Sequence, residues 1–171
     1  MEIREAKACD AKAVLEYCNC IGGETDNLIF GAEGLSMTLE EEKEFLEGMR
    51  KTDKQVFLIA VENGKVVGTG VLSSFVQPRM AHRGKIALSV KKSMWGKHIG
   101  TRLMEEVIRF AKEEAAMEIL SLEVRCDNER AITLYKRFGF EIIGTFDGFM
   151  KIKGERISYY IMWLSLNTEL M

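Results

Sequence analysis

Proline is almost absent from this sequence: Pro78 is the only one in 171 residues. No low-complexity tract, internal repeat or linker divides the chain. A single domain over residues 1–171 is therefore expected, long enough to bury about two-thirds of its unfolded surface. Histidine occurs only twice, as His82 and His98, and cysteine four times, as Cys9, Cys18, Cys20 and Cys126. No C-x-x-C or H-x-x-x-H spacing occurs, which argues against a metal centre and for reduced thiols. Neither charge dominates: 24 basic and 26 acidic residues leave a net charge of -2, with no support for nucleic-acid or membrane binding. No apolar run approaches bilayer-spanning length. The opening MEIREAKACD lacks the basic stretch and apolar run of a secretory signal, so a cytoplasmic location is expected.

What the sequence does have is clear patterning. EIRE reads as a first strand, with Asp10 placed to cap a helix carrying Ala13, Val14 and Tyr17 that ends near Gly22-Gly23. A glycine-rich loop follows, then Thr38 and Glu41, spaced as a capping box ahead of a helix with Phe45, Leu46 and Met49. QVFLIAVENGKVVGTGVLSSF is two β-rich runs joined at Asn63-Gly64, residues that tolerate the positive φ of a hairpin turn. GKIALSV is a further strand. Residues 99 to about 116 set Ile99, Leu103, Val107, Phe110 and Ala111 on one helical face. EILSLEVR alternates Ile119, Ser121, Glu123 and Arg125 against Leu120, Leu122 and Val124, as a strand does. A helix over roughly 128–138 and two long strands around Lys153-Gly154 complete the chain. The order β-α-α-β-β-β-α-β-α-β-β predicts an α/β (α+β) domain with a mixed, mostly antiparallel sheet flanked by helices.

WGKHIGTRL, residues 95–103, joins the GKIALSV strand to the next helix. Its glycines do not have the spacing of the nucleoside-triphosphate loop, G-x-x-x-x-G-K-[ST], nor of the dinucleotide G-x-G-x-x-G. A strand, a short loop and a helix start nevertheless aim successive N–H groups at one place, which suits a pyrophosphate. By itself the pattern fits an ordinary strand-to-helix turn equally well. A second constellation follows in LEVRCDNERAITLYKRFGF. Together the two resemble the GNAT superfamily of acyl-CoA N-acyltransferases. The family's loop [QR]-x-x-G-x-[GA] aligns with Trp95 to Gly100. Its second signature, N-x-x-A-I-x-L-Y-x-x-x-G-F, is met at Asn128, Ala131, Ile132, Leu134, Tyr135, Gly139 and Phe140. Trp95 stands where the family has Gln or Arg, and His98 where it has Gly. A histidine there keeps its amide donor if its φ is negative, and its ring can donate to a pyrophosphate or crowd the pocket.

The resemblance implies the rest of the site. Acetyl-CoA is the expected co-substrate, its pantetheine arm paired to the backbone of Leu88, Ser89 and Val90. Its pyrophosphate would lie on the amides of Gly96, Lys97, His98, Ile99, Gly100 and Thr101. Asn128 would bond the pantetheine arm, and Lys136 or Arg137 the phosphoadenosine end. Tyr135 is the leaving-group acid by resemblance. The fourth-strand position where many members carry a basic glutamate is Lys85 here. Glu123 is the candidate general base instead, because LEVRCDNERAITLY is similar to the bacterial enzymes that acetylate the N-terminal alanine of a ribosomal protein. A charged strand residue paired with Arg125 or a lysine is the plain alternative for Glu123.

The expected activity is transfer of an acetyl group to a primary amine: a polyamine, amino sugar, amino acid or protein N-terminus. The rival reading is a CoA-binding regulatory or interaction module without turnover. Hints on the acceptor conflict, since Glu24, Asp26 and Glu33 suit a cationic amine, whereas Arg79, His82 and Arg83 suit a carboxylate or phosphate on it. The apolar last strand, YYIMWLSL, offers pairing across a homodimer.

Overall fold

The structure is a computed structural model and describes residues 1–167. Seven strands and four helices follow one another as β1 (Glu2–Glu5), α1 (Ala11–Gly22), α2 (Leu39–Arg50), β2 (Val56–Glu62), β3 (Lys65–Ser74), β4 (Arg83–Val90), α3 (Ile99–Glu113), β5 (Ile119–Arg125), α4 (Glu129–Arg137), β6 (Glu141–Ile152) and β7 (Glu155–Ser165). The element order is the one expected. Three short 3-10 turns, at Ala8–Asp10, Pro78–Met80 and Lys92–Met94, were not legible in the pattern.

One sheet holds all seven strands in the order β1-β2-β3-β4-β5-β7-β6, antiparallel throughout except between β4 and β5. Both hairpin turns form as their residues require. Asn63 and Gly64 have φ of 50° and 73°, and Lys153 and Gly154 have 49° and 90°. Alternation along the strands divides the core in two. Val56, Leu58, Ala60, Leu120, Leu122 and Val124 face α3, whose Ile99, Leu103, Met104, Val107 and Ala111 are buried. Each large side chain fully withdrawn from water there contributes about 1.5–3 kcal/mol. Phe57, Ile59 and Val66 face the other way, onto Val14 and Tyr17 of α1 and Leu46 and Met49 of α2. Helices α1 and α2 pack chiefly on β3 and β2, with Tyr17 of α1 also reaching Ser89 of β4, and neither packs substantially on β5, β7 or β6.

Two expectations change. Asp10 does not cap α1: its carboxylate takes both Arg4 Nη1 and Nη2, at 2.7 and 2.8 Å, and the amide of Lys7 at 2.9 Å. The Arg4 guanidinium accordingly holds the Asp10 carboxyl below its ordinary range. The last strand offers no dimer edge either. β7 runs between β5 and β6 and spends its backbone groups on both, which leaves β1 and β6 as the sheet's edges. Thr38 and Glu41, by contrast, form the capping box as read, with Glu41 N donating to Thr38 Oγ1 at 3.2 Å and Thr38 N to Glu41 Oε2 at 2.7 Å.

Candidate active site

β4 and β5 pair in parallel only from Arg83↔Ile119 to Lys85↔Ser121. Beyond that pair they separate, and β4 from Ile86 to Val90 has no partner on its β5 side. The separation opens a cleft of about 970 Å³, lined on one side by Leu88, Ser89 and Val90 and on the other by Asn128, Ala131 and Tyr135. The loop Thr25–Leu28 also lines it. That loop is tied down twice: Glu24 Oε2 accepts the Lys92 amide at 2.7 Å, and Arg125 Nη1 donates to the Asp26 carbonyl at 3.2 Å. Arg125 is itself held by Asp127 through a two-pronged ion pair at 2.8 and 2.6 Å, which pulls the Asp127 carboxyl below its usual range.

The loop after β4 is built for an anion. Gly96 has φ 81°, a conformation that glycine adopts without the clash a Cβ would bring. At Gly100 the issue is space, since a Cβ would stand 3.3 Å from Leu134 Cδ2 and 3.7 Å from Leu88 Cδ2, in the seam between α3, α4 and β4. His98 precedes α3 with φ 59° and ψ 15°, in the left-handed region. The condition of a negative φ is therefore not met, and the family's glycine is explained: this corner of the loop turns left-handed. No side chain caps α3, so the amides of its first turn point into the cleft without a partner from the chain. An uncapped helix start with glycine beside it, at the rim of a split strand pair, fits a long ligand carrying a pyrophosphate, as acetyl-CoA does.

Most residues expected at the cofactor line this cleft: Leu88, Ser89, Val90, Gly96, His98, Ile99, Gly100, Thr101, Asn128 and Arg137. Lys97 does not, because its ammonium lies 3.5 Å from Met94 Sδ; Lys136 is exposed and also outside the lining. The Asn128 side chain is already engaged, its Oδ1 accepting the Ala131 amide at 3.2 Å as the cap of α4. Tyr135 lines the cleft from α4 with 7% of its surface exposed, and burial pushes its phenol up to about 12. Glu123 points to the face opposite Leu122 and Val124, as the alternation required. There its Oε2 meets Lys85 Nζ at 2.8 Å, in a separate cavity.

Three features escaped the sequence reading. Trp95 bridges the cleft rim: its Nε1 donates to the Val90 carbonyl at 2.8 Å and the Arg130 guanidinium lies 4.7 Å over its ring. Ser89 Oγ shares hydrogen bonds with Tyr17 Oη at 2.9 Å and Thr69 Oγ1 at 2.7 Å, binding α1 to β3 and β4 beneath the cleft. Glu42 is buried to 1% exposure with neither oxygen hydrogen-bonded, which pushes its carboxyl up. Each depends on how separate elements pack together, for which local patterning carries no signal.

A split parallel pair with a bare helix start at its rim is an arrangement that suits a long, phosphate-bearing ligand. Comparison with known proteins places it further. A family model described as the acetyltransferase (GNAT) family matches residues 27–140, and the chain belongs to that family. The crystal structure of a GNAT-family acetyltransferase from Streptococcus pneumoniae superposes with a TM-score of 0.93 at 30% identity, over 97% of this chain and 99% of that one. A ribosomal-protein-alanine N-acetyltransferase from Brucella melitensis gives 0.85 at 26% identity, over 97% and 100%. The L-amino acid N-acetyltransferase AaaT of Escherichia coli (strain K12) is 30% identical over 105 residues, 61% of this chain and 65% of that protein. The chain thus spans a little under two-thirds of that relative's length.

Proposed function

We propose that the protein is an acetyl-CoA-dependent N-acetyltransferase in which a primary amine attacks the thioester directly. The observation that carries this reading is the split between β4 and β5 with a candidate acid on one face of the sheet and a candidate base on the other. Tyr135 comes from the α3/α4 side, and Glu123 lies two residues past the last paired position on the opposite side. An amine arriving on the Glu123 side and a sulfur leaving on the Tyr135 side would be roughly in line through the gap.

In that arrangement the thioester supplies the acetyl group, and the chain supplies the proton handling. Glu123 takes the proton the ammonium must lose before its nitrogen can attack. The N–C bond forms as the C–S bond breaks, and the phenolic proton of Tyr135 meets the departing thiolate. The burial that keeps Tyr135 protonated also makes a bare thiolate costly in the same place, so the hydroxyl is needed where it stands. The acetylated nitrogen then sheds its second proton, which restores the Tyr135 phenol, and Glu123 returns its own proton to solvent. The residues of the α3 start hold the pyrophosphate through backbone amides, and Arg137 reaches toward the phosphoadenosine end.

One observation favours the rival reading, a CoA-binding module without turnover: His98 occupies a left-handed position where glycine would be unstrained. Calorimetric titration of acetyl-CoA and desulfo-CoA, followed by thiol release with a panel of amines, separates the two. Micromolar binding with amine-dependent release of free thiol is the expected result. Binding without release under any amine would favour the silent module, and no binding would overturn both.

A further inference from the structure

The sheet carries a second cavity, of about 600 Å³, on the half of its face that α1 and α2 leave bare. Its floor is the region where β4 and β5 are still paired, and Glu123 stands at its upper end, just past the point where they separate. Phe75, Ile143, Ile161 and Trp163 give it apolar walls. Arg83 and Lys85 bring its cationic groups, and His82 lies beside them. Lys85 Nζ and Glu123 Oε2 form a half-buried pair at 2.8 Å, their side chains 48% and 25% exposed. Arg83 lies 5.3 Å from the Phe75 ring centroid and has no carboxylate partner among the described residues. After the pair is closed, one positive charge is left over.

We propose that this cavity takes the acceptor, that Arg83 and Lys85 form a subsite for a carboxylate on it, and that the substrate is a free α-amino acid with an apolar side chain. The inference rests on the acetyl-transfer reading above and names its acceptor. A zwitterion carries its ammonium and carboxylate on one carbon, a few ångströms apart. Glu123 and Lys85 present the opposite charges in the matching order, so the ammonium meets the base while the carboxylate meets Lys85 and Arg83. A polyamine brings only positive charge and finds two fixed cations. A peptide N-terminus has an amide where the carboxylate would be, and leaves Arg83 unanswered. The walls of Phe75, Ile143 and Ile161 suit an apolar side chain.

Two of the three acidic residues that would have favoured a polycation are engaged elsewhere, and the third, Asp26, lines the other cleft. Glu24 accepts the Lys92 amide at 2.7 Å and Glu33 the Gly31 amide at 2.8 Å, both as ties within the loops. Arg79 lies in the 3-10 turn before β4, outside the cavity, so of the basic cluster only His82 and Arg83 contribute. The transfer balances as before: the acceptor's nitrogen gains the acetyl group, the C–S bond breaks, and the products are an N-acetyl amino acid and free CoA.

The test measures thiol release with acetyl-CoA and three amines: L-leucine, L-leucinamide and spermidine. Leucine is expected to exceed leucinamide in kcat/KM by about tenfold or more, the scale of one charged contact, even though the amide's amine is the less basic and easier to deprotonate. Arg83→Ala is expected to raise KM for leucine and erase that advantage, and Arg83→Lys to keep part of it. Equal rates with leucine and leucinamide, faster turnover of spermidine, or an unmoved KM in Arg83→Ala would overturn the carboxylate subsite while leaving acetyl transfer standing. Calorimetry of leucine and leucinamide into the protein saturated with desulfo-CoA reads the subsite without turnover. Tighter leucine binding supports it, and indifference between the two ligands overturns it. If no amine is turned over although acetyl-CoA binds, it is the transfer reading that fails.

Discussion

Two helices begin at the same cleft, each just after one of the two parallel strands, and their starts are built differently. Helix α4 starts behind Asn128, whose φ is -85° and whose side chain closes on the Ala131 amide. Helix α3 starts behind His98, at φ 59°, with no side-chain cap. A capped start satisfies its own donors and is stable by itself. A bare, left-handed start costs about 1–2 kcal/mol in a residue with a Cβ and leaves its amides free for a ligand. Strain and missing caps cluster at functional sites, and the contrast supports the proposal in which α4 positions Tyr135 and α3 meets the phosphate.

The comparison can be broken by substitution, and the largest effect belongs to the α4 side. Tyr135→Phe is expected to lower kcat by about 100-fold with little change in acetyl-CoA affinity; an unchanged kcat would remove Tyr135 as the acid. Its raised phenol, at about 12, also carries a sign. The protonated form survives through pH 10, where an ordinary tyrosine would ionise, so the rate should show no loss from tyrosine ionisation there. A decline near pH 10 that disappears in Tyr135→Phe would contradict the burial argument.

The start of α2 is fully capped, yet one turn in it carries the orphaned Glu42. Its carboxyl is raised in the folded protein, so the folded state holds the proton more tightly than the unfolded chain. Stability from this group is full below the ordinary carboxylate range and lost as pH rises through the folded value. Glu42→Met should therefore raise unfolding free energy by about 2 kcal/mol near pH 7, because a buried group without partners is replaced by an apolar one of similar size. The gain should shrink toward pH 4, and denaturant titrations at the two pH values check both the size and the trend.

The two helix starts should then answer in opposite directions. Asn128→Ala is expected to cost about 1 kcal/mol of stability through the lost cap. His98→Gly should change it least, by about 0.5 kcal/mol in the stabilising sense, since relief of the left-handed strain exceeds the extra freedom of glycine in the unfolded chain. Acetyl-CoA affinity in His98→Gly should be no weaker than in the natural protein. Loss of affinity on that change would mean that the imidazole itself, rather than the backbone at its position, holds the phosphate.

The parts of this protein that were legible in the chain are those with a local cause. The Thr38–Glu41 box spans four residues, the Asn63-Gly64 turn two, and the alternation of Leu120, Leu122 and Val124 needs only its own strand. Asp10 misled because two partners could use its carboxylate, and the more distant Arg4 took it. The φ of His98 was left open because the handedness of a loop corner depends on how β4 and α3 are set against each other, which a residue name does not specify. The candidate acid and the phosphate loop were readable from their motifs. The surroundings of Glu123 were not.

The sequence by itself determined the seven strands, the four helices, their order and the turn residues, because propensity, capping and periodicity act between near neighbours. Only the tertiary structure decided that β7 lies inside the sheet, that β4 and β5 part after Lys85 and Ser121, and that Lys85 reaches Glu123 at 2.8 Å across 38 positions of chain. Those follow from which strands pair and where pairing stops. Burial of apolar faces summed over the whole sheet sets that pairing, and no single segment encodes it.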